Sequence, residues 1–428
     1  MSSTKVTVYI VNHNYENYLL QCYYSVLYQS YKNIELIIID NNSSIESQKL
    51  LKSISKVDNI NIIFREQSDL ISACNLAIKM ATGEFIVRLD ADDYLRKDAI
   101  KLLVTAASEN NADLTYPEYF EVSKKGDLLN RIKHINFDTH VSLPSFPAHG
   151  ACTLFKLSSL REIGGYDEEF DRQDGYYMWI NFLINKFKII NINSPLFFYR
   201  IHNTSLSSNL SSLYNVRSNI SNKILKNSDL KAPIIDCFIP IIENEFDQQI
   251  FNRTLDELLK SNVFRNIIIW SSVKIDDSIY RDKIKFIDRK YNAEFDMQTL
   301  SQSISEVLEI FYKGFRKPDF IFVRDLNTPN IKAHYFLQMR FLVSLFKHID
   351  CIIATVETKD RYYKFLGDSL YPVRENDFVK NERQTLYRKI RGFNLIKYSK
   401  LISTKSLVSG VISPLSISKE DSFDRFES

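Results

Sequence analysis

Asp90, Asp92 and Asp93 put three carboxylates into four positions, directly behind the apolar run Phe85-Ile86-Val87 in "GEFIVRLDADDYLRKDAI". Carboxylates this close repel one another, and a cation is the usual way to offset that cost. All-oxygen ligation suits a hard divalent ion, Mg²⁺ or Mn²⁺, and such an ion neutralises a diphosphate that departs with growing negative charge. Asp93 also stands just before "YLRKDAIKLL", where an acid reads as a helix cap.

The elements that must hold these acids follow from periodicity. Strand-like and helix-like segments alternate: "VTVYIV", an amphipathic stretch from Tyr15 to Gln29, "IELIIID", "NIIF", a helix from Leu70 to Met80, then "EFIVRL". Near-continuous apolar strands in βαβ alternation imply a parallel sheet covered on both faces. Three of the strands end in polar residues, at Asn12 and Asn14, at Asp40 to Asn42, and at Asp90 to Asp93. Such ends converge on one edge of an open sheet, where nucleotides bind.

With 428 residues, 45% of them hydrophobic, the chain can fill two cores. A net charge of +3 from 55 basic and 52 acidic residues gives no global field, so nucleic acid is not an expected partner. Five scattered cysteines, none in a CxxC spacing, argue against disulfides or a zinc site and for a reducing cytoplasm. Neither an export signal nor a membrane span is evident. The Ser- and Asn-rich stretch from His202 to Lys231 reads as a partly helical linker, which divides the chain into 1–215, a linker at 216–232, and 233–428.

"VYIVNHNYENYLLQCYYSVLYQSYKNIELIIIDNNSS", followed by "SACNLAIKMATGEFIVRLDADDYL", resembles the inverting family 2 glycosyltransferases of GT-A fold, over roughly residues 5 to 209. The resemblance implies that Asn14, Glu16, Asp40, Asp69, Asn75, Asp90, Ala91 and Arg200 bind the nucleotide sugar, Asp40 at the nucleoside and Asp90 at the ribose or sugar. It makes Asp92 the principal metal ligand and His202, in "YRIH", a second one, with Arg200 as a clamp on the diphosphate. The general base is expected just before an aromatic-rich helix ending in Trp179: Asp174, or Asp171 if the register shifts. A single acid there, where the family has a pair, is a departure. His149 in "PAHGACTLF" reads as a structural residue.

"IIDCFIPII", "KPDFIFVRDLNTPNI", "IDCIIATVET" and "LYRKIRGFNLIK" resemble, in order, a cytidylyltransferase that activates sialic-acid-like sugars. Its phosphate loop should be rich in Gly, Lys and Arg, yet 234–252 has none and carries Asp236, Glu243, Glu245 and Asp247. Asp424 matches one metal acid of that family, and Phe426 replaces the other. This half therefore reads as a retained fold without catalysis, which docks or forms a homodimer. The basic, aromatic stretch from Lys380 to Lys405 reads as a solvated strand pair at a surface, with contact to anionic lipid as the second option.

The expected protein is α/β: a GT-A nucleotide-diphospho-sugar transferase fold, then a second α/β nucleotidyltransferase-like domain. It would transfer sugar from a nucleoside diphosphate sugar, UDP being the commonest family donor, to a glycan or lipid-linked acceptor, in the cytoplasm or at the inner face of the membrane. Two rivals are an inactive nucleotide-sugar-binding scaffold and a bifunctional protein with a working cytidylyltransferase half.

Overall fold

The computed structural model describes residues 4–57, 60–133, 150–170, 174–202, 210–241, 246–273, 275, 282–289, 299–358, 363–366, 369–372 and 386–422. The chain divides into two units, Met1–Asn209 with Tyr362–Gln384, and Leu210–Arg361 with Thr385–Ser428.

In the first unit β1 (Val6–Asn12), β2 (Ile34–Asn41), β3 (Asn61–Arg65) and β4 (Phe85–Asp90) run parallel in the order β3-β2-β1-β4. The sheet continues through β8 (Leu154–Lys156), β6 (Leu114–Val122) and β9 (Ile189–Arg200) to β5 (Tyr94–Leu95), with β7 (Leu128–Ile132) on β6. β1 alternates between two cores because successive strand residues face opposite sides. Val6, Val8 and Ile10 pack with α1 (Glu16–Leu27) and α4 (Ala99–Asn110), while Tyr9 and Val11 pack with α3 (Leu70–Met80) and α6 (Asp174–Ile184). The helices α2 (Ile45–Val57) and α5 (Leu157–Glu162) complete this unit among the described residues.

α1 is held at its end by a buried amide. Gln29 donates to the Ser25 carbonyl at 2.9 Å and the Arg96 carbonyl at 2.7 Å, and its oxygen accepts from the Ile100 N–H at 3.1 Å. These three bonds fix the end of α1 to the start of α4.

The second unit repeats the frame. β10 (Ile235–Pro240), β11 (Ile267–Ser271), β12 (Ile284–Asp288) and β13 (Phe320–Val323) run parallel in the order β12-β11-β10-β13. β17 (Leu386–Lys397) joins β13 antiparallel, then β14 (Cys351–Thr358) and β18 (Ile412–Ser416) follow. A hairpin of β15 (Tyr363–Leu366) and β16 (Ser369–Pro372) lies between β14 and β17 in sequence but belongs to the first unit. α8 (Gln248–Ser261), α9 (Leu300–Phe311), α10 (Ala333–Leu345) and α11 (Tyr398–Thr404) flank the sheet.

Two readings of the sequence are refined here. The stretch expected as a partly helical linker contains α7 (Leu210–Asn227), which packs on α10, because Leu213, Tyr214, Ile220 and Ile224 are buried despite the Ser and Asn around them. The middle of the basic stretch read as a solvated strand pair at a surface is β17, an inner strand of the sheet: Phe393, Leu395 and Ile396 are fully buried, whereas Lys389 and Arg391 are exposed. Its charges lie between core residues, and Lys397 pairs with Asp350 at 2.8 Å.

Candidate active site

The strand registers bring the expected polar ends together: Asn12 lies opposite Asp40, and Val11 opposite Asp90. Beyond Asp90 the chain turns tightly, the Asp93 N–H donating to the Asp90 carbonyl at 3.0 Å around buried Ala91. Each carboxylate then has a different partner. Asp90 accepts from Arg88 Nε at 2.7 Å. Asp92 Oδ2 meets His202 Nε2 at 2.8 Å. Asp93 is buried and accepts from the Arg200 backbone N–H at 2.9 Å, while its other oxygen has no partner among the described residues. Asp93 is therefore not a helix cap. β5 intervenes, and α4 starts at Ala99 behind Asp98. Burial, reinforced by Asp90, raises the Asp92 carboxyl above the usual carboxylate range; burial with Asp92 and Asp90 raises Asp93 much further.

His202 is enclosed by two rings, Tyr18 of α1 stacked at 6.2 Å and Tyr15 of the β1–α1 connection edge-on at 6.0 Å. Neither tyrosine was anticipated from sequence, although the Tyr15-x-x-Tyr18 spacing marks one helix face. Arg200 does not present a free fork to a diphosphate. Its guanidinium donates to the carbonyls of Asp92, Ser123 and Lys124 and to Gln21 Oε1, and it lies 4.6 Å from the Tyr18 ring centroid. At 2% exposure it is a structural tie that holds the Asp92 turn to the β6–β7 connection and to α1.

The nucleoside side also departs from expectation. Asp40 is fully buried, bonded to Asn12 Nδ2 at 3.3 Å and to the Ser43 N–H at 3.4 Å, so its carboxylate supports the turn. Asn12 adds Ser43 and Ser47 to this network. Asn14 is exposed, in the left-handed region (φ 63°), and accepts from the Ser44 N–H at 2.6 Å. Glu16 opens α1 with one buried oxygen that has no partner among the described residues. Asp69 caps α3 through the Ile71 and Ser72 N–H groups, and the Ser72 bonds lower its pKa first. Asn75 clamps the Tyr166 backbone in both directions at 2.9 Å, and Gly165 (φ +76°) is needed beside it, since a Cβ would stand 2.8 Å from the Asn75 oxygen.

Asp174 is the first residue of α6; its side chain, Asp171 and His149 lie outside the described residues. The start of α6 is nonetheless located. Gly175 approaches Gly150, and two residues on the Cys152 N–H donates to the Arg88 carbonyl at 2.8 Å, which ties that segment to β4. Trp179 is buried with its ring edge-on to Tyr116 at 4.6 Å.

Among the described residues no three His, Cys, Asp or Glu side chains are arranged to hold a metal. A cation that carries a diphosphate needs only one or two protein ligands, with phosphate oxygens and water supplying the rest. The Asp92–His202 pair and the unpartnered buried oxygen of Asp93 fit that smaller requirement, since a bound cation would offset the burial and crowding that raise these carboxyls.

Residues 7–164 match the family model "Glycosyl transferase family 2". The chain is similar to the glycosyltransferase GlyA of Streptococcus pneumoniae, 28% identical over 47% of this chain and 31% of that protein. It is also similar to the Escherichia coli UDP-Glc:alpha-D-GlcNAc-diphosphoundecaprenol beta-1,3-glucosyltransferase WfgD, 26% identical over 49% of this chain and 82% of that protein. Among solved structures, S. aureus TarS 1-349 in complex with UDP-GlcNAc superposes with a TM-score of 0.45 at 18% identity, over 53% of this chain and 68% of that one. The chain spans about a third of the length of the first curated relatives it matches.

Proposed function

We propose that the N-terminal unit, a glycosyltransferase family 2 domain over residues 7–164, transfers a sugar from a nucleoside diphosphate sugar to an acceptor hydroxyl with inversion at the anomeric carbon. The observation that carries this reading is the Asp92–His202 pair, 2.8 Å apart, at the end of β4. Mg²⁺ or Mn²⁺ held by Asp92 and His202 would supply charge neutralisation at the leaving diphosphate. Asp90, fixed by Arg88, faces the ribose or sugar. Asp174 takes the acceptor proton as the acceptor oxygen bonds to the anomeric carbon and the diphosphate departs. Asp40, Asp69, Asn75 and Arg200 act behind the site by holding the loops that form it.

The name of WfgD specifies a UDP-linked donor and a diphosphoundecaprenol acceptor, which supports UDP and a lipid-linked acceptor for this chain, with surface polysaccharide or glycoconjugate synthesis at the inner membrane face as the setting. No helix among the described residues is long and apolar enough to cross a membrane. The second unit is read as a catalytically silent module that forms a homodimer, and light scattering tests that. Of the acids read in its presumed phosphate loop, Asp236 is buried and bonded to Arg265 and Tyr312, Asp247 caps α8, and Glu243 and Glu245, like Asp424 and Phe426, lie outside the described residues. Thermal shifts with a panel of nucleotide sugars, with and without Mn²⁺, test the transferase reading. One donor should raise the melting temperature only with the cation; no shift and no donor turnover across the panel would refute it.

A further inference from the structure

α1 is apolar on two sides. Leu19, Cys22, Tyr23 and Val26 face the core, yet Leu20, Tyr24, Leu27 and Tyr28 form an outward stripe at i, i+4, i+7 and i+8. These side chains are 38% to 70% exposed, and Tyr24 and Tyr28 stack on one another at 5.8 Å. Exposed apolar side chains that adjoin one another in this way mark an interaction surface. Leu102 of α4, 42% exposed, adds to the surface on the side where Gln29 joins the two helices.

The surroundings of this stripe are basic. The Ser30 N–H donates to the Lys97 carbonyl at 2.9 Å, which ties exposed Lys97 to the chain just after α1, with exposed Lys101 about one turn further on in α4. On the other flank Arg200 joins Gln21 of α1 to the carbonyls of Ser123 and Lys124, at a hairpin tip with exposed Lys124, Lys125, Leu128 and Leu129. Among the described residues of the α4 start and the β6–β7 tip the exposed acids are Asp98 and Asp127, and Asp127 accepts from the Ser123 hydroxyl.

We infer that the outer face of α1, with the start of α4 and the β6–β7 tip, docks on an anionic lipid bilayer. Tyrosines favour the headgroup level, where the ring is shielded and the hydroxyl stays wet. Basic residues around an apolar stripe match an anionic surface, each strengthening binding about fivefold near it. Neither feature depends on the transferase chemistry, so binding to lipid and sugar transfer can fail separately.

Flotation of the full chain with vesicles tests this. The protein should float with mixed phosphatidylglycerol and phosphatidylcholine, stay behind with phosphatidylcholine alone, and be released by salt. Tyr24→Ser with Tyr28→Ser should abolish flotation, and Lys97→Ala with Lys101→Ala should weaken it about 25-fold, at unchanged melting temperature in both pairs. Flotation indifferent to lipid charge, no flotation of the unaltered chain, or variants that float normally would overturn the inference. So would light scattering that shows a dimer split by the tyrosine changes, because the stripe would then be a contact between copies.

Discussion

In the first unit the parallel order β3-β2-β1-β4 is continued by antiparallel β8, and in the second β12-β11-β10-β13 is continued by antiparallel β17. The fourth strand ends differently in each. After β4 come Asp90, Asp92 and Asp93, where burial and mutual crowding raise the Asp92 and Asp93 carboxyls and one Asp93 oxygen has no partner among the described residues. After β13 comes Arg324, fully buried, donating to the hydroxyl and carbonyl of Thr328 and the carbonyl of Gly392. Asp325 beside it accepts from the Asn327 N–H and lies so close to Gly392 (φ +64°) that a Cβ there would stand 1.9 Å from its oxygen. One edge is left electrostatically unfinished, and the other is closed by its own side chains. Equal topology therefore says little about chemistry; what the strand ends bond to decides it.

The comparison is broken most severely by removing the base. Asp174→Asn should lower turnover by roughly 10² to 10⁴ with donor affinity unchanged; loss of donor binding instead would reassign the residue. Next, Asp92→Asn should cost about 10² to 10³ in turnover, the size expected for one preorganised charge partner. Because the native chain holds Asp92 at a cost, its melting temperature should not fall. Asp325→Asn, at the matching edge, should leave transfer unchanged, and a joint loss would mean the second unit takes part.

Arg324→Met should leave transfer intact but destabilise the chain in urea by about 3 kcal/mol, because buried acceptors lose their donor. A change below about 1 kcal/mol would remove Arg324 as the closure of that edge. The smallest effect separates the two histidines. His202 is paired with Asp92, whereas His334 is buried with an Nε2 that has no partner among the described residues, and burial holds its pKa down at about 4. An unfolded chain binds that proton near pH 6.5. The unfolded state then carries the extra proton between those values, so this contribution is complete above about 6.5 and is lost as pH falls towards 4. His334→Phe should flatten that limb of the denaturation curve; an unchanged limb would exclude it.

The frame and the acidic turn were legible because both are local. β-branched runs followed by Asp or Asn mark strand and edge without reference to any distant residue. What could not be read was how each side chain spends its hydrogen bonds. Asn75 is consumed by Tyr166, 91 positions away, and Arg200 by Gln21, 179 positions away. Neither partner is implied by sequence spacing. β17 was legible in part for a related reason: exposed Lys389 and Arg391 flank buried Ile390 in the alternation of a half-exposed strand, but its internal place follows only from the pairing on both sides.

Gln29 makes α1 a spacer of fixed thickness. At about 100° per residue Tyr18, which touches His202, lies roughly 120° round the helix from Tyr24 and roughly 80° from Tyr28, so the His202 contact and the exposed stripe occupy neighbouring flanks of one helix. A helix with side chains is roughly 10–12 Å across. With the stripe resting on lipid, the reaction centre would be held no more than about that far from the surface, and acceptors would be sorted by the height at which they carry their hydroxyl. Acceptors with progressively longer links between lipid and sugar should show a rate optimum at one length, whereas a flat profile would mean that altitude plays no part.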